Sequence, residues 1–299
     1  MLYKSNILAL VGGGSNPKFS TDKVIIWDEL QEKIISQLRF DTNVKNVKLT
    51  KEKIVIVCEK KIYIFNLKNL AIINESIETF PNPKGLIAIS YKIFKLAFPS
   101  KELEGSVEIY SNENNENQTI KCHGKKIQML SLNLSGTLLA TASEKGTLIR
   151  IYTVFNGNLV QELRRGTDNA KIYSINFDPL NKFIVCNSEK TTVHIFSLYN
   201  ANISLKSINK EQNDNKEDDV KVPKNSTNNW GKLLGIFNKK NYEYSFAKVK
   251  IEDNKFICQW GNNDKILALS LNGNYYQVQF NPEEGGDYKI ETVIKLKEK

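Results

Sequence analysis

The feature that most constrains this chain is a short pattern, apolar–any–apolar–aromatic, that returns at nearly even intervals. It reads Val24-Ile25-Ile26-Trp27, Ile62-Tyr63-Ile64-Phe65, Val107-Glu108-Ile109-Tyr110, Ile149-Arg150-Ile151-Tyr152 and Val193-His194-Ile195-Phe196. The aromatic residues stand 38, 45, 42 and 44 residues apart. A weaker copy, Tyr275-Tyr276-Gln277-Val278, ends 82 residues after Phe196, close to two periods on. Each copy is rich in β-branched and aromatic residues and is bounded by Gly, Asn, Asp or Lys, which marks a strand. Further strand signals precede it, as at 54–57, 138–141 and 183–186. Several short strands in about forty residues make one four-stranded propeller blade. Helical periodicity is nearly absent. The expectation is therefore an all-β propeller, a single domain over 1–299, with blade units near 1–40, 41–80, 81–122, 123–165, 166–246 and 247–299.

The doubled gap falls at 199–241. Lys210 to Asn229 is polar, mixed in charge and poor in apolar residues, so it cannot bury enough surface to fold. This predicts a flexible insertion inside the fifth unit. It ends in an apolar segment, Trp230 to Phe237, followed by Asn238-Lys239-Lys240.

With 40% hydrophobic and 25% charged residues, wholesale disorder is excluded. No apolar run approaches the ~18 residues of a membrane span, and Ile7–Val11 is too short for a signal-peptide core. Cys58, Cys122, Cys186 and Cys258 are scattered and form no CxxC pair. That argues against zinc and for reduced, buried thiols in a cytosolic protein. The net charge of +9 points to a polyanion, either nucleic acid or an anionic membrane. Only two histidines exist, and no nucleophile elbow, zinc-protease helix or phosphate-binding loop is present. Gly12-Gly13-Gly14 reads as a turn between strands. An enzyme, a cofactor and a metal are not expected.

The sharpest local feature is Leu163-Arg164-Arg165-Gly166, between the fourth and fifth units. Adjacent residues on an extended chain point to opposite sides, so a tandem arginine pair can serve two pockets. The guanidinium fork suits phosphate. A solvated basic turn is the plain alternative for a lone pair. The neighbours weigh against it: Ser143-Glu-Lys-Gly-Thr147 is echoed by Ser188-Glu-Lys-Thr-Thr192, and Arg150 and His194 each stand two residues before their unit's aromatic. Hydroxyls and basic groups thus recur at matching places on both sides of the pair, as two similar anion sites would require.

These segments, with Asn6–Gly14, Lys23–Asp28, Asn82–Leu86, Thr141–Tyr152 and Thr192–Phe196, resemble the PROPPIN family. PROPPINs are WD40-like seven-bladed propellers that bind polyphosphoinositides and act in autophagy. The resemblance runs through nearly the whole chain. It implies that the chain starts midway through the family's second blade, so that about six blades are present and the first is missing or truncated. It implies two lipid pockets that bind phosphatidylinositol 3-phosphate or phosphatidylinositol 3,5-bisphosphate. The first would use His123, Thr141, Ser143, Gly146, Thr147, Arg150 and Arg164. The second would use Arg165, Lys171, Ser188, Thr192 and His194. Trp230, Leu233, Leu234, Ile236 and Phe237 would touch or enter the bilayer. The loop Gly14 to Lys23 would be a contact for an autophagy lipid-transfer protein.

The implied protein is a non-catalytic, monomeric, cytoplasmic effector on phagophore, endosomal, vacuolar or other organelle membranes. Histidines in both pockets suggest binding that strengthens as pH falls from about 7.5 to 6. A WD40-type protein scaffold without lipid specificity is the alternative; it explains the repeats but not the doubled pocket motif. A nucleic-acid-binding propeller explains only the charge and lacks a row of stacking aromatics, so no nucleic acid is expected.

Overall fold

Strand signals joined by short turns pair with their neighbours in sequence, because a tight turn returns the second strand along the first. The computed structural model describes residues 5–73, 76–111, 117–202, 223–224, 242–253, 255–262 and 264–296. Six sheets form there. The first holds β1 (Ile7–Val11), β2 (Lys23–Asp28) and β3 (Lys33–Arg39). The second holds β4 (Val44–Leu49), β5 (Lys53–Cys58), β6 (Lys61–Asn66) and β7 (Ile77–Glu78). The third holds β8 (Ala88–Ser90), β9 (Lys95–Pro99), β10 (Ser106–Ser111) and β11 (Gln118–Lys121). The fourth runs β12 (Ile127–Leu132), β13 (Leu138–Ser143), β14 (Leu148–Thr153), β15 (Leu159–Arg164), with β19 (Glu243–Tyr244) added parallel to β15. The fifth runs β16 (Ile172–Phe177), β17 (Phe183–Ser188), β18 (Thr192–Ser197), β20 (Ala247–Lys250), with β24 (Gly286–Tyr288) parallel to β20. The sixth holds β21 (Phe256–Trp260), β22 (Lys265–Ser270), β23 (Asn274–Gln279) and β25 (Thr292–Lys295).

The six units read from the repeat correspond to these six sheets except for three strands: β19 lies in the fifth unit but joins the fourth sheet, and β20 and β24 lie in the sixth unit but join the fifth sheet. The recurring tetrapeptide occupies the third strand of five meanders, β6, β10, β14, β18 and β23, and the middle strand, β2, of the three-stranded first sheet.

Alternation turns alternate residues toward the sheet before and the sheet after. Five apolar clusters therefore join successive sheets. Ile149, Ile151 and Leu163 of the fourth sheet pack with Ile172, Ile184 and Phe196 of the fifth. On the opposite face, Leu139 and Tyr152 pack with Val107 and Ile120 of the third. Among the described residues no apolar cluster joins the sixth sheet to the first. The sixth sheet's outward row, Ile257–Leu269–Tyr275–Ile294 in register, leaves Ile257 58% and Ile294 49% exposed.

Antiparallel order sends the connections 79–87, 100–105, 122–126, 144–147, 165–171 and 189–191 to one end of the stacked sheets. All four cysteines are free and buried, as expected. Burial pushes the Cys122 and Cys258 thiols up to about 12. Among the described residues no helix is long and apolar enough to cross a membrane.

Candidate functional site

The first cluster lies between the third and fourth sheets, on the face of β14 opposite Ile149 and Ile151. Strand pairing sets Thr141, Arg150 and Glu162 side by side across β13, β14 and β15. His123, in the connection from β11 to β12, shares a 3.1 Å hydrogen bond between its Nε2 and Thr141 Oγ1. Arg150 donates through Nη1 to the Cys122 carbonyl at 2.7 Å and through Nε to Glu162 Oε2 at 2.7 Å. Tyr152 donates to the same Cys122 carbonyl at 2.8 Å. By alternation Arg164 lies on the same face as Glu162 and Arg150. Its guanidinium stacks 4.5 Å from the centre of the Tyr242 ring.

The second cluster lies between the fourth and fifth sheets. Arg165, one residue on, faces the other way and is 6% exposed. Its Nε–H donates to Gly146 O at 2.9 Å, and a second N–H donates to Asp168 O. His194 is stacked on Phe196, with ring centroids 6.0 Å apart, and its Nδ1 lies 3.5 Å from Ser245 Oγ. Cys186, His194 and Lys248 oppose one another across β17, β18 and β20. Lys171 sits at the rim, its Nζ 5.8 Å from the Tyr173 ring centre and its backbone N–H on Glu189 Oε1 at 3.1 Å. Ser188 is fully buried, and its Oγ accepts the Lys190 N–H at 3.3 Å.

The connections that carry these groups are tight. Gly146 has φ +60°, and a Cβ there would stand 1.8 Å from Ala170 O. Thr147 O accepts the N–H of Arg165 at 2.9 Å. Gly146→Ala is therefore expected to cost about 2 kcal/mol or more in a denaturant melt, from the left-handed backbone and the collision together. It should also displace the carbonyl that orients Arg165.

Both histidines are buried in the free protein. Burial, then the charge of Arg150, lowers His123 to about 4. Burial, then Lys248 and Arg165, lowers His194 to about 3. They stay neutral from pH 7.5 to 6. The expected charging of histidine across that window is thereby corrected, and as neutral rings they offer one donor each.

The arginine pair is divided between two inter-sheet seams, with His123, Thr141 and Arg150 gathered in one and Arg165 and His194 in the other. Thr147 and Thr192 are half-buried near the two seams; Ser143 is buried beside the first. Thr141 and Ser188 have no exposed surface and hold neighbouring groups rather than facing solvent. Trp230, Leu233, Leu234, Ile236 and Phe237 lie outside the described residues, as does most of 199–241.

Sequence reading missed Glu162, which occupies Arg150. The signal was an acidic residue on the strand that follows Arg150, but its use needs the strand register. It also missed Tyr242, Ser245 and Lys248, which the insertion separates from the pair in sequence. Removing the competing carboxylate by Glu162→Gln should free the Arg150 fork. If Arg150 serves the anion site expected from the sequence, binding of anionic vesicles becomes a few-fold tighter, with folding stability lower by about 1–3 kcal/mol for the unpaired, partly buried charge. Weaker binding in flotation would mean that Arg150 needs Glu162 to hold its geometry.

The PROPPIN family model matches residues 10–296. Autophagy-related protein 18e of Arabidopsis thaliana is 34% identical over 290 residues, covering 96% of this chain and 72% of that protein. SVP1-like protein 2 of Emericella nidulans is 40% identical over 202 residues, covering 66% of this chain and 62% of that protein. Among solved structures, Kluyveromyces lactis Hsv2 with its complete loop 6CD aligns with a TM-score of 0.75 at 22% identity, covering 99% of this chain and 85% of that one. Atg21 of a complex with the coiled-coil of Atg16 aligns with a TM-score of 0.75 at 19% identity, covering 99% and 84%. These likenesses bear out the β-propeller expectation, and with a family match over almost its full length the chain belongs to the PROPPIN family.

Proposed function

We propose that this protein is a non-catalytic peripheral membrane effector that binds phosphatidylinositol 3-phosphate, phosphatidylinositol 3,5-bisphosphate or both through two rim pockets. The observation that carries the reading is the division of Arg164 and Arg165 between two seams, each with its own histidine, hydroxyls and second cation. Family membership supports the ligand class. One domain spans 1–299, and the insertion at 199–241 adds an apolar contact through Trp230, Leu233, Leu234, Ile236 and Phe237. A monomer works on cytoplasmic membrane faces, on phagophore, endosomal, vacuolar or other organelle membranes, and recruits autophagy or organelle-biogenesis machinery. Its protein partner is an autophagy lipid-transfer protein that contacts Gly14 to Lys23. No nucleic acid, cofactor or metal takes part.

The chemistry is capture without reaction. Charge-assisted hydrogen bonds contribute about 1.5–3 kcal/mol each, so one head group binds weakly. Two sites on one rigid body make the second capture intramolecular and raise avidity by about 10² to 10⁴. The test is flotation with vesicles containing phosphatidylinositol 3-phosphate, wild type against Arg164→Thr/Arg165→Thr. The wild type floats and the double variant does not. A scaffold without lipid affinity would float in neither form. A nonspecific basic protein would float on any anionic lipid and lose binding in high salt.

A further inference from the structure

Five of the six sheets begin with a strand laid antiparallel on the next: β4 on β5, β8 on β9, β12 on β13, β16 on β17 and β21 on β22. The first sheet is built differently. Its middle strand, β2, carries the tetrapeptide that the third strands carry elsewhere, so β1 holds the place of a second strand. Among the described residues β1 pairs with β2 alone, which leaves the N–H and C=O groups of its other edge open. The difference also shows in the side chains. Leu10 lies opposite the second residue of the tetrapeptide, as Ile56, Phe98, Thr141, Cys186 and Ala268 do in the other sheets. Those five are at most 3% exposed, whereas Leu10 is 37% exposed.

What fits this edge is legible in the strands that hold the same place in other sheets. Val44–Leu49, Ile127–Leu132 and Ile172–Phe177 share one pattern, apolar at the first, fourth and sixth positions, with a bulge after the first. In the second sheet the fourth and sixth residues, Val47 and Leu49, lie opposite Ile56 and Ile54 and join them in one apolar cluster. The same register on β1 sets the fourth and sixth positions opposite Leu10 and Leu8, close enough for cross-strand packing. Every described strand of this chain already belongs to a sheet.

We propose that the open edge of β1 is an acceptor site for an extended segment of a partner protein, which adds antiparallel as a fourth strand and is apolar at its first, fourth and sixth positions. Main-chain hydrogen bonds supply the affinity, and Leu8 and Leu10 select the pattern. A one-residue slip would turn the partner's apolar residues to the wrong face. The site belongs to the first sheet, whereas the arginine seams lie among the third, fourth and fifth. It stands whether or not lipid binds.

The test is amide hydrogen exchange of the whole protein, titrated with acetyl-Val-Lys-Asn-Val-Lys-Leu-amide, which copies β4, and with acetyl-Lys-Val-Asn-Lys-Val-Leu-amide, which keeps the composition and displaces the pattern. The copy should slow exchange within Ile7–Val11 saturably. The displaced peptide should bind at least about tenfold more weakly, because its apolar residues miss Leu8 and Leu10. Leu10→Lys should weaken the copy by at least about tenfold, since the added strand would cover a charge, and should leave the urea midpoint unchanged. Equal binding of the two peptides to the wild type, or slowing confined to residues outside β1, would overturn the proposal. So would slow exchange of the open edge before any peptide is added, which would mean that this chain fills the edge itself, or a stable dimer in sedimentation equilibrium that dissociates as the copy binds, which would make a second copy the occupant.

Discussion

On the proposed two-pocket reading, Arg165→Thr alone should lower affinity for vesicles containing phosphatidylinositol 3-phosphate by about 10² to 10⁴, as the avidity of two sites is reduced to that of one. Affinity for a soluble inositol head group should fall much less, because the first pocket keeps Arg150, Arg164 and His123. The argument rests on where Arg165 sits. It is buried, directed at the fifth sheet, and held by the carbonyls of Gly146 and Asp168. The side chain is thereby held in place, close enough to His194 for its charge to lower that ring's pKa. Threonine leaves both carbonyls unpaired, so a melt should show a loss of about 1–3 kcal/mol. Arg165→Lys separates the two effects: the charge remains but the planar fork is gone. Isothermal calorimetry with the soluble head group and surface binding to bilayers distinguish them. Equal losses in both assays would mean that the two clusters act as one site.

The second large effect is on folding in acid. His123 and His194 enter the fold uncharged, with values of about 4 and about 3 against about 6.5 in an unfolded chain. Between pH 6.5 and 4 the unfolded chain binds protons that the native state refuses, so stability falls as pH falls. By pH 4 the loss is about 3 kcal/mol for each histidine. Urea midpoints at pH 7, 5.5 and 4.5 would read it. His194→Gln should narrow the gap between the pH 7 and pH 4.5 midpoints, whatever its own cost in packing. An unchanged gap in that variant would show that His194 titrates normally in the native state. Between pH 7.5 and 6, by contrast, vesicle binding should be flat as far as histidine charging in the free protein is concerned.

The fold was legible because its signal is local. A period of two, an aromatic at a fixed place and short turns identify strands without knowledge of what they pack on. The division of the arginine pair was legible for the same reason: on an extended chain Arg164 faces away from Leu163, which is buried in β15, and Arg165 turns back to Leu163's side. What could not be read depends on register and depth. That Glu162 neutralises Arg150 follows only from the cross-strand alignment of β14 with β15. That both histidines are too buried to charge at neutral pH depends on how closely adjacent sheets approach. The fourth strand of the fifth sheet, Ala247-Lys-Val-Lys250, carries no aromatic and stands some fifty residues past its partner β18, so the local repeat does not mark it as part of that sheet.

The two ends of the long insertion are anchored at the fourth sheet. Gln161 donates to Ser197 O at 2.9 Å on the outgoing side and to Glu243 at 2.8 Å on the returning side. Asn200 reaches Glu243 at 2.5 Å, and Tyr242 lies under the Arg164 guanidinium. On the proposed membrane reading, a pull on the segment between these anchors would be borne first by β15, the strand that ends in Arg164, and would shift that arginine's aim.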